Sequence, residues 1–448
     1  MKRKVLISPY TILFIILAIA CISPQLSFIQ HGRPILIDTS DVKEKFIQPL
    51  LIDKFYQQNH QKLFWFSTDE KSVKLRQQLL DIIENRKYLG LDKENYHANE
   101  LRNHITEMDC QKIFRADWLF TDAALSYAKD IYTGAELNYW VSYDQISEKC
   151  AVRDYEYLLA KLLAVKSAEE LDQYFKELEP KSREYLILKN ELNKKLNDTV
   201  QVQKGSLLKK LISSINFYRW IHHFQLDKFV VVNIGSTTLS YYENDSVKLN
   251  MKIVVGKPST KTPRFVAYCN EVILYPYWNV PHSIAVNELL PLFKFRPSLI
   301  EGMNMQIIDK NGNILNPDSI KWISLNKSNF PYKFRQSTGC DNALGVIKFN
   351  LTSPFSVYMH DTNLKTAFKL NNRYLSHGCI RLEKPMELGN YLLKDKLDTT
   401  FLSSCLKDQK PVSLPLEKPV TVFVVYMTAE ASRADSVEYH KDVYLLLK

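Results

Sequence analysis

The sequence predicts an α+β chain in which a helical domain precedes a mainly β domain, the two dividing near Asp227. Two observations carry that reading. Before Asp227 apolar residues recur at helical spacing: Leu75, Leu79, Ile82 and Ile83 share one face, as do Leu158, Leu159, Leu162 and Leu163. After it come short β-branched runs, Val230-Val231-Val232, Ile253-Val254-Val255 and Val420 to Tyr426, divided by Gly, Pro and Asn. With 448 residues, 46% of them hydrophobic, the chain has enough apolar surface for two or three separate cores.

Taken in order, residues 1–24 read as a signal peptide or membrane anchor. Lys2-Arg3-Lys4 precedes an apolar stretch from Val5 to Ile22, a basic start and apolar core of the kind that directs export. Interrupted by Ser8-Pro9, the stretch falls slightly short of the roughly twenty residues a span requires. Ala18-Ile19-Ala20-Cys21 resembles a lipoprotein processing site. An uncleaved anchor ranks first, ahead of a cleaved signal or a lipid on Cys21, and each places the rest of the chain outside the cytoplasm. The helical domain spans 36–205 and the β domain 227–430, and a C-terminal strand or tail occupies 431–448.

Net charge is +10, from 59 basic and 49 acidic side chains. No long basic block lies beyond the first residues and no recognition motif is present, which excludes a nucleic-acid partner. A modest positive balance suits anionic envelope surfaces. Seven cysteines occur: Cys21, Cys110, Cys150, Cys269, Cys340, Cys379 and Cys405. Setting aside Cys21 and Cys379 leaves an odd number. Cys110 with Cys150 is a candidate bridge, and Cys340 is either a paired or packed cysteine or a second functional thiol.

The chemistry concentrates in Tyr358-Met359-His360-Asp361 and, beyond a short polar run, Ser376-His377-Gly378-Cys379-Ile380-Arg381-Leu382. A cysteine becomes a nucleophile only when its thiolate is favoured, and a nearby imidazole is the usual device. A glycine before the thiol lets the backbone approach a carbonyl, so the amides of Gly378 and Cys379 are candidate oxyanion donors. A lone cysteine in a strand is more often a small hydrophobe, but two neighbouring histidines argue against that here. Zinc bound by His360, His377 and Cys379 is a weaker rival, because no fourth ligand or familiar spacing accompanies them.

These residues resemble the L,D-transpeptidases with a YkuD-type catalytic domain, whose signature is an upstream His, a spacer of about fifteen residues, then Ser/Thr-His-Gly-Cys, a hydrophobic residue and Asn or Arg. His360, Ser376, His377, Gly378, Cys379, Ile380 and Arg381 fit it. The likeness extends to the larger YcbB-like branch. Phe229 to Ile234 resembles its opening catalytic strand. Trp278-Asn279-Val280-Pro281-His282-Ser283-Ile284, with Glu288 and Pro291, resembles the start of a substrate-capping insertion, and Arg335-Gln336, Asn342-Ala343-Leu344-Gly345 and Lys348-Phe349 its end. Leu119 to Leu125, Tyr127-Ala128 and Gly134 resemble the branch's helical scaffold. Leu171 to Ser206 is too short for the peptidoglycan-binding module that members often carry between the two domains.

The resemblance implies a YkuD-like β-sandwich with a cap over about 282–345, independence from metals and organic cofactors, and a location in the cell envelope (periplasm). It implies that Cys379 is the nucleophile and His360 the general base, its imidazole held by the Asp361 carbonyl. His377 is expected to support the base. Arg381 carries a fork suited to a carboxylate, with a salt bridge inside the fold as an equal alternative. Ser376 and Trp278 complete the expected substrate contacts, Ser376 being nearly as well explained as a turn hydroxyl. The expected partners are peptidoglycan stem peptides, with peptidoglycan synthases and the inner membrane as further associations. Three functions remain open: 3–3 cross-linking through a thioester; hydrolysis, D-amino-acid exchange or protein coupling through the same thioester; and a catalytically silent wall-binding scaffold.

Overall fold

A computed structural model describes residues 46–67, 70–91, 96–135, 142–143, 147–198 and 204–447. The N-terminal segment and Cys21 lie outside the described residues, as do the side chains of Cys110 and Cys150. No helix among the described residues is long and apolar enough to cross a membrane. The chain divides into two compact units, one of Met1–Tyr139, Ser147–Gln225 and Ala429–Tyr439, the other of Trp140–Ile146, Leu226–Thr428 and His440–Lys448.

The first unit is helical: α1 (Pro49–Gln58), α2 (Glu70–Glu84), α3 (Ala98–Asn103), α4 (Cys110–Thr133), α5 (Ser147–Leu163), α6 (Ala168–Leu178), α7 (Arg183–Asn197) and α8 (Lys204–His223). Proline opens α1, where its missing N–H costs nothing. Ser167 caps α6 and Ser182 caps α7 by accepting from amides in the first turn. Along α4, Phe120, Ala123, Ala124, Tyr127, Ala128 and Ile131 are buried, the alanines admitting close neighbours. Asp117 on α4 is buried and accepts from the amides of Phe64, Trp65 and Phe66. Burial still pushes its carboxyl up to about 6. A hairpin near the C-terminus belongs to this unit, with Ala429 N–H donating to Ser214 Oγ of α8 at 3.2 Å.

The second unit is mainly β. A two-residue strand, β1 (Ser142–Tyr143), pairs with β5 (Phe265–Leu274). β2 (Lys228–Asn233), β3 (Thr238–Glu243) and β4 (Ser246–Gly256) form an antiparallel meander. β6 (Trp278–Asn279), β7 (Met305–Ile308), β8 (Ile314–Leu315) and β9 (Lys333–Gln336) make a separate four-stranded sheet. β10 (Ile347–Leu351), β11 (Met359–His360), β12 (Tyr374–Ser376), β13 (Ile380–Leu382) and the long β14 (Val412–Val425) complete the main sheet.

The main sheet is built from one hydrogen-bonded path, β5-β10-β11-β13-β4-β3-β2-β14, and β14 also pairs with β5, so the path closes on itself. Residues 421–424 of β14 pair with β2 on one side and β5 on the other, and the pairing with β5 shifts register between Pro415 and Val420, where proline removes a ladder donor. Val230, Val232, Leu239, Val255, Val272, Met359 and Ile380 fill its core, with α9 (Pro385–Leu393) packed against it through Leu388 and Leu392. The segment between β6 and β9 has its own core around Phe293, Ile300, Ile307 and Phe334. It is tied back by a disulfide between Cys340 and Cys405, which settles Cys340 as a paired cysteine.

Candidate active site

Three adjacent strands set the site. β10 lies antiparallel to β11 with Lys348 opposite His360, and β11 lies parallel to β13 with His360 opposite Arg381. Side chains two residues apart on a strand share a face, which brings Tyr358 and Cys379 onto the face of His360 and Arg381. Ile380 N–H donates to the Tyr358 carbonyl at 3.1 Å, extending the pairing to the residue beside the thiol. The Tyr358 ring lies 5.6 Å from the His360 ring and carries Lys348 Nζ 4.3 Å from its centre.

His360 is 4% exposed, and its Nδ1 donates to the Asp361 carbonyl. That bond selects the tautomer with a free lone pair on Nε2. Burial, then the charges of Arg381, Lys348 and Lys365, push its imidazolium down to about 3, so the ring is neutral at ordinary pH. Asp361 is itself fixed: its carboxylate pairs with Lys365 and accepts from Val346 N–H at 3.1 Å. Gly345 makes that approach possible. Its φ is +60°, and a Cβ there would sit 2.2 Å from Asp361 Oδ2.

Cys379 is half-buried, and its thiol reaches the Ser356 carbonyl at 3.9 Å. Burial raises its pKa, while the backbone and hydroxyl of Tyr358 and the charges of Lys348 and Arg381 partly offset this. His360 and Cys379 are not hydrogen-bonded to each other; Tyr358 is the side chain that neighbours both. The one other free thiol among the described residues, Cys269, is buried and pushed up to about 12 by desolvation, which leaves it inert at neutral pH.

The turn before the nucleophile is held from below. Ser376 Oγ donates to the Cys379 carbonyl at 2.6 Å and accepts from Gly378 N–H at 3.1 Å. Thr260 Oγ1 donates to the Ser376 carbonyl, and Thr262 Oγ1 to the Gly378 carbonyl at 2.8 Å. Gly378 sits at φ +118°, a conformation that favours glycine. His377 turns outward, donating from Nε2 to Glu288 Oε1 at 2.6 Å. Glu288 lies in a π-turn, Ala285–Leu289, of the inserted segment.

Residues 227–412 match the L,D-transpeptidase catalytic domain (YkuD), and residues 51–192 match a scaffold domain. The chain carries a YkuD-type L,D-transpeptidase catalytic domain. A Haemophilus influenzae protein described as "Putative L,D-transpeptidase" is 35% identical over 243 residues, 54% of this chain and 49% of that protein, so the chain spans about half the length of this curated relative. Two solved structures are fainter likenesses. The ertapenem-acylated catalytic domain of the E. faecium L,D-transpeptidase is 16% identical, covering 44% of this chain and 96% of that one at a TM-score of 0.22. A Mycobacterium smegmatis L,D-transpeptidase is 14% identical, covering 44% and 58%, also at 0.22.

Within the L,D-transpeptidase domain two of the expected site residues are engaged inside the nucleophile turn. Gly378 N–H is engaged by Ser376 Oγ and is not free for an oxyanion, whereas the Cys379 N–H meets no acceptor among the described residues. Ser376 is buried and both its hydroxyl bonds stay inside the turn, so it holds the loop and does not face a substrate. Trp278 packs part of its ring against the core of the inserted segment. Arg381 makes no salt bridge with any described residue, against the alternative of an ion pair within the fold. Tyr358 reads from the sequence only as part of the strand ending at the site, and neither Lys348 nor Thr262 has a site role there, because strand register and a long-range hydrogen bond are what bring them to Cys379 and its loop.

Proposed function

We propose that the protein is a peptidoglycan L,D-transpeptidase of the cell envelope that works through a Cys379 thioester. The observation that carries the reading is the parallel pairing of β11 and β13, which sets a half-exposed thiol diagonally beside a buried, neutral imidazole whose Nε2 is left free. His360 Nε2 takes the Cys379 proton as sulfur attacks the amide carbonyl between the L-centre of a stem's third residue, a diamino acid, and its terminal D-Ala. The carbonyl oxygen becomes an oxyanion facing the Cys379 N–H. As the C–N bond breaks, His360 returns the proton to the departing D-Ala amine, leaving a thioester. The side-chain amine of a second stem then attacks the thioester, giving up its proton to His360, and sulfur leaves as thiolate to close a 3–3 cross-link.

The remaining residues fit supporting roles. His377, tethered to Glu288, links the nucleophile loop to the inserted segment, which acts as a cap that limits water and favours transfer over hydrolysis. The thiol and base argue against a silent binding role, which has no use for them. The direct test is an acid quench of the protein incubated with disaccharide-tetrapeptide, followed by peptide mapping. The reading expects the Cys379 peptide to carry the donor less D-Ala. An unmodified Cys379 in folded protein overturns it.

A further inference from the structure

Lys348 and Arg381 flank His360 from opposite sides in the same register row. With neighbouring strands about 4.8 Å apart, their Cα atoms stand roughly 10 Å from each other, with the catalytic face between them. Both side chains are partly buried, and burial lowers the pKa of each. Neither forms a salt bridge among the described residues, and the acids nearby are committed elsewhere. Asp361 pairs with Lys365, Glu288 holds His377, Glu383 accepts from Lys252 N–H, and Glu271 accepts from Asn350 and Ser413. Lys348 senses the Cys379 thiol first and then Glu271, which stands beyond ion-pair distance, and Arg381 senses the same thiol. Two partly desolvated cations with no carboxylate partner, one on each side of a neutral base and facing a thiol whose burial disfavours its anion, are costly until an anion docks between them.

We propose that Lys348 and Arg381 form a dicationic subsite that binds a carboxylate of the acyl donor beside its scissile amide, and so selects donors in which that carboxylate is free over donors in which it is amidated. The proposal rests on the acyl-transfer reading above. A carboxylate presents two oxygens, each able to accept from one of two opposed cations, whereas a carboxamide presents one oxygen and adds a repelling NH2. Arg381 supplies a fork and Lys348 a point charge already steered by the Tyr358 ring. Docking of the anion has a second consequence. It offsets the charges of Arg381 and Lys348 that, after burial, lower the His360 imidazolium, so the base is stronger with the right donor in place.

The donor offers two such carboxylates, one on its C-terminal D-residue and one on the D-centre of the diamino acid. The test therefore measures kcat/KM of the full-length chain on three disaccharide-tetrapeptides: fully free, amidated at the diamino acid, and amidated at the C-terminus. The subsite predicts a preference of about tenfold for the free peptide over one of the amides, the scale of one charge-assisted hydrogen bond; which amide fails names the carboxylate. Lys348→Gln narrows that preference to about threefold or less, and Lys348→Arg restores it, with Arg381→Gln read the same way if Lys348→Gln does not fold. Equal use of all three peptides by the unaltered chain, or an equal loss on all three in Lys348→Gln, overturns the proposal. If no peptide is turned over, the acyl-transfer reading fails, and equilibrium binding of the same peptides to Cys379→Ala decides the subsite. Tenfold weaker binding of one amide upholds it, and equal binding of all three overturns it.

Discussion

Thr262 holds the peptide bond that presents the nucleophile, and replacing it with valine isolates that function. The residue is 2% exposed; its Oγ1 donates to the Gly378 carbonyl at 2.8 Å and accepts from Gly256 N–H at 2.9 Å. Valine keeps the shape and removes both bonds, leaving one carbonyl and one N–H buried without partners. At about 1–3 kcal/mol for each stranded group, Thr262→Val costs roughly 2–6 kcal/mol. The Gly378 carbonyl and the Cys379 N–H belong to one peptide plane, so the candidate oxyanion donor loses its aim. Removing such a donor outright slows catalysis by about 10²–10³, and a loosened one is expected to slow acylation by a carbapenem by about tenfold or more. Tyr444→Phe is the control. Its hydroxyl accepts from Thr262 N–H at 3.1 Å and donates to the Gly256 carbonyl at 2.6 Å, without touching Gly378. It should cost stability in urea unfolding and spare the acylation rate. A Thr262→Val protein within about 0.5 kcal/mol of the parent and equally fast, or a Tyr444→Phe protein equally slowed, refutes the reasoning.

Further outcomes follow from the same geometry. Burial raises the Cys379 thiol and holds His360 down to about 3, so alkylation by iodoacetamide should climb past pH 9 without an inflection near 6.5; an inflection there contradicts the buried neutral base. Gly345→Ala combines a φ of +60°, which costs about 1 kcal/mol or more for a residue with a Cβ, with a clash on Asp361, so both melting temperature and acylation should fall, and a parent-like protein would show that Asp361 is not pinned there. The Cys340–Cys405 bridge closes a sequence separation of 65, worth about 4 kcal/mol in chain entropy; Cys340→Ser should lower the unfolding midpoint of the β unit, and an unchanged midpoint refutes that contribution.

How much of this was legible in the sequence depended on the range of the signal. Helical periodicity and β-branched runs are local, and they placed the change from helix to strand within a residue or so of β2. The signature around Cys379 is also local, and it named thiol, imidazole and turn together. What escaped is non-local. Lys348 is twelve positions before His360 in the chain, and only the antiparallel register of β10 and β11 makes them neighbours. Thr262 reaches the Gly378 carbonyl from far earlier in the chain, and Tyr444 supports Thr262 from the other end of the domain. The pairing of Cys340 with Cys405 cannot be drawn from spacing among seven cysteines. Equally hidden from the sequence is the bond from Gly378 N–H to the hydroxyl of the serine two residues earlier, a local capping bond that competes for the expected oxyanion donor. The hairpin Ala429–Tyr439 reads as an ordinary pair of strands, and nothing in its residues tells that it joins the helical unit.

The measurement that bears most directly on the central claim is incubation of the purified chain with disaccharide-tetrapeptide, with products read by mass spectrometry beside a Cys379→Ser control. The account predicts a dimer lacking one D-Ala that is absent from the control. Dimer in both reactions, or no product in either from folded protein, contradicts it.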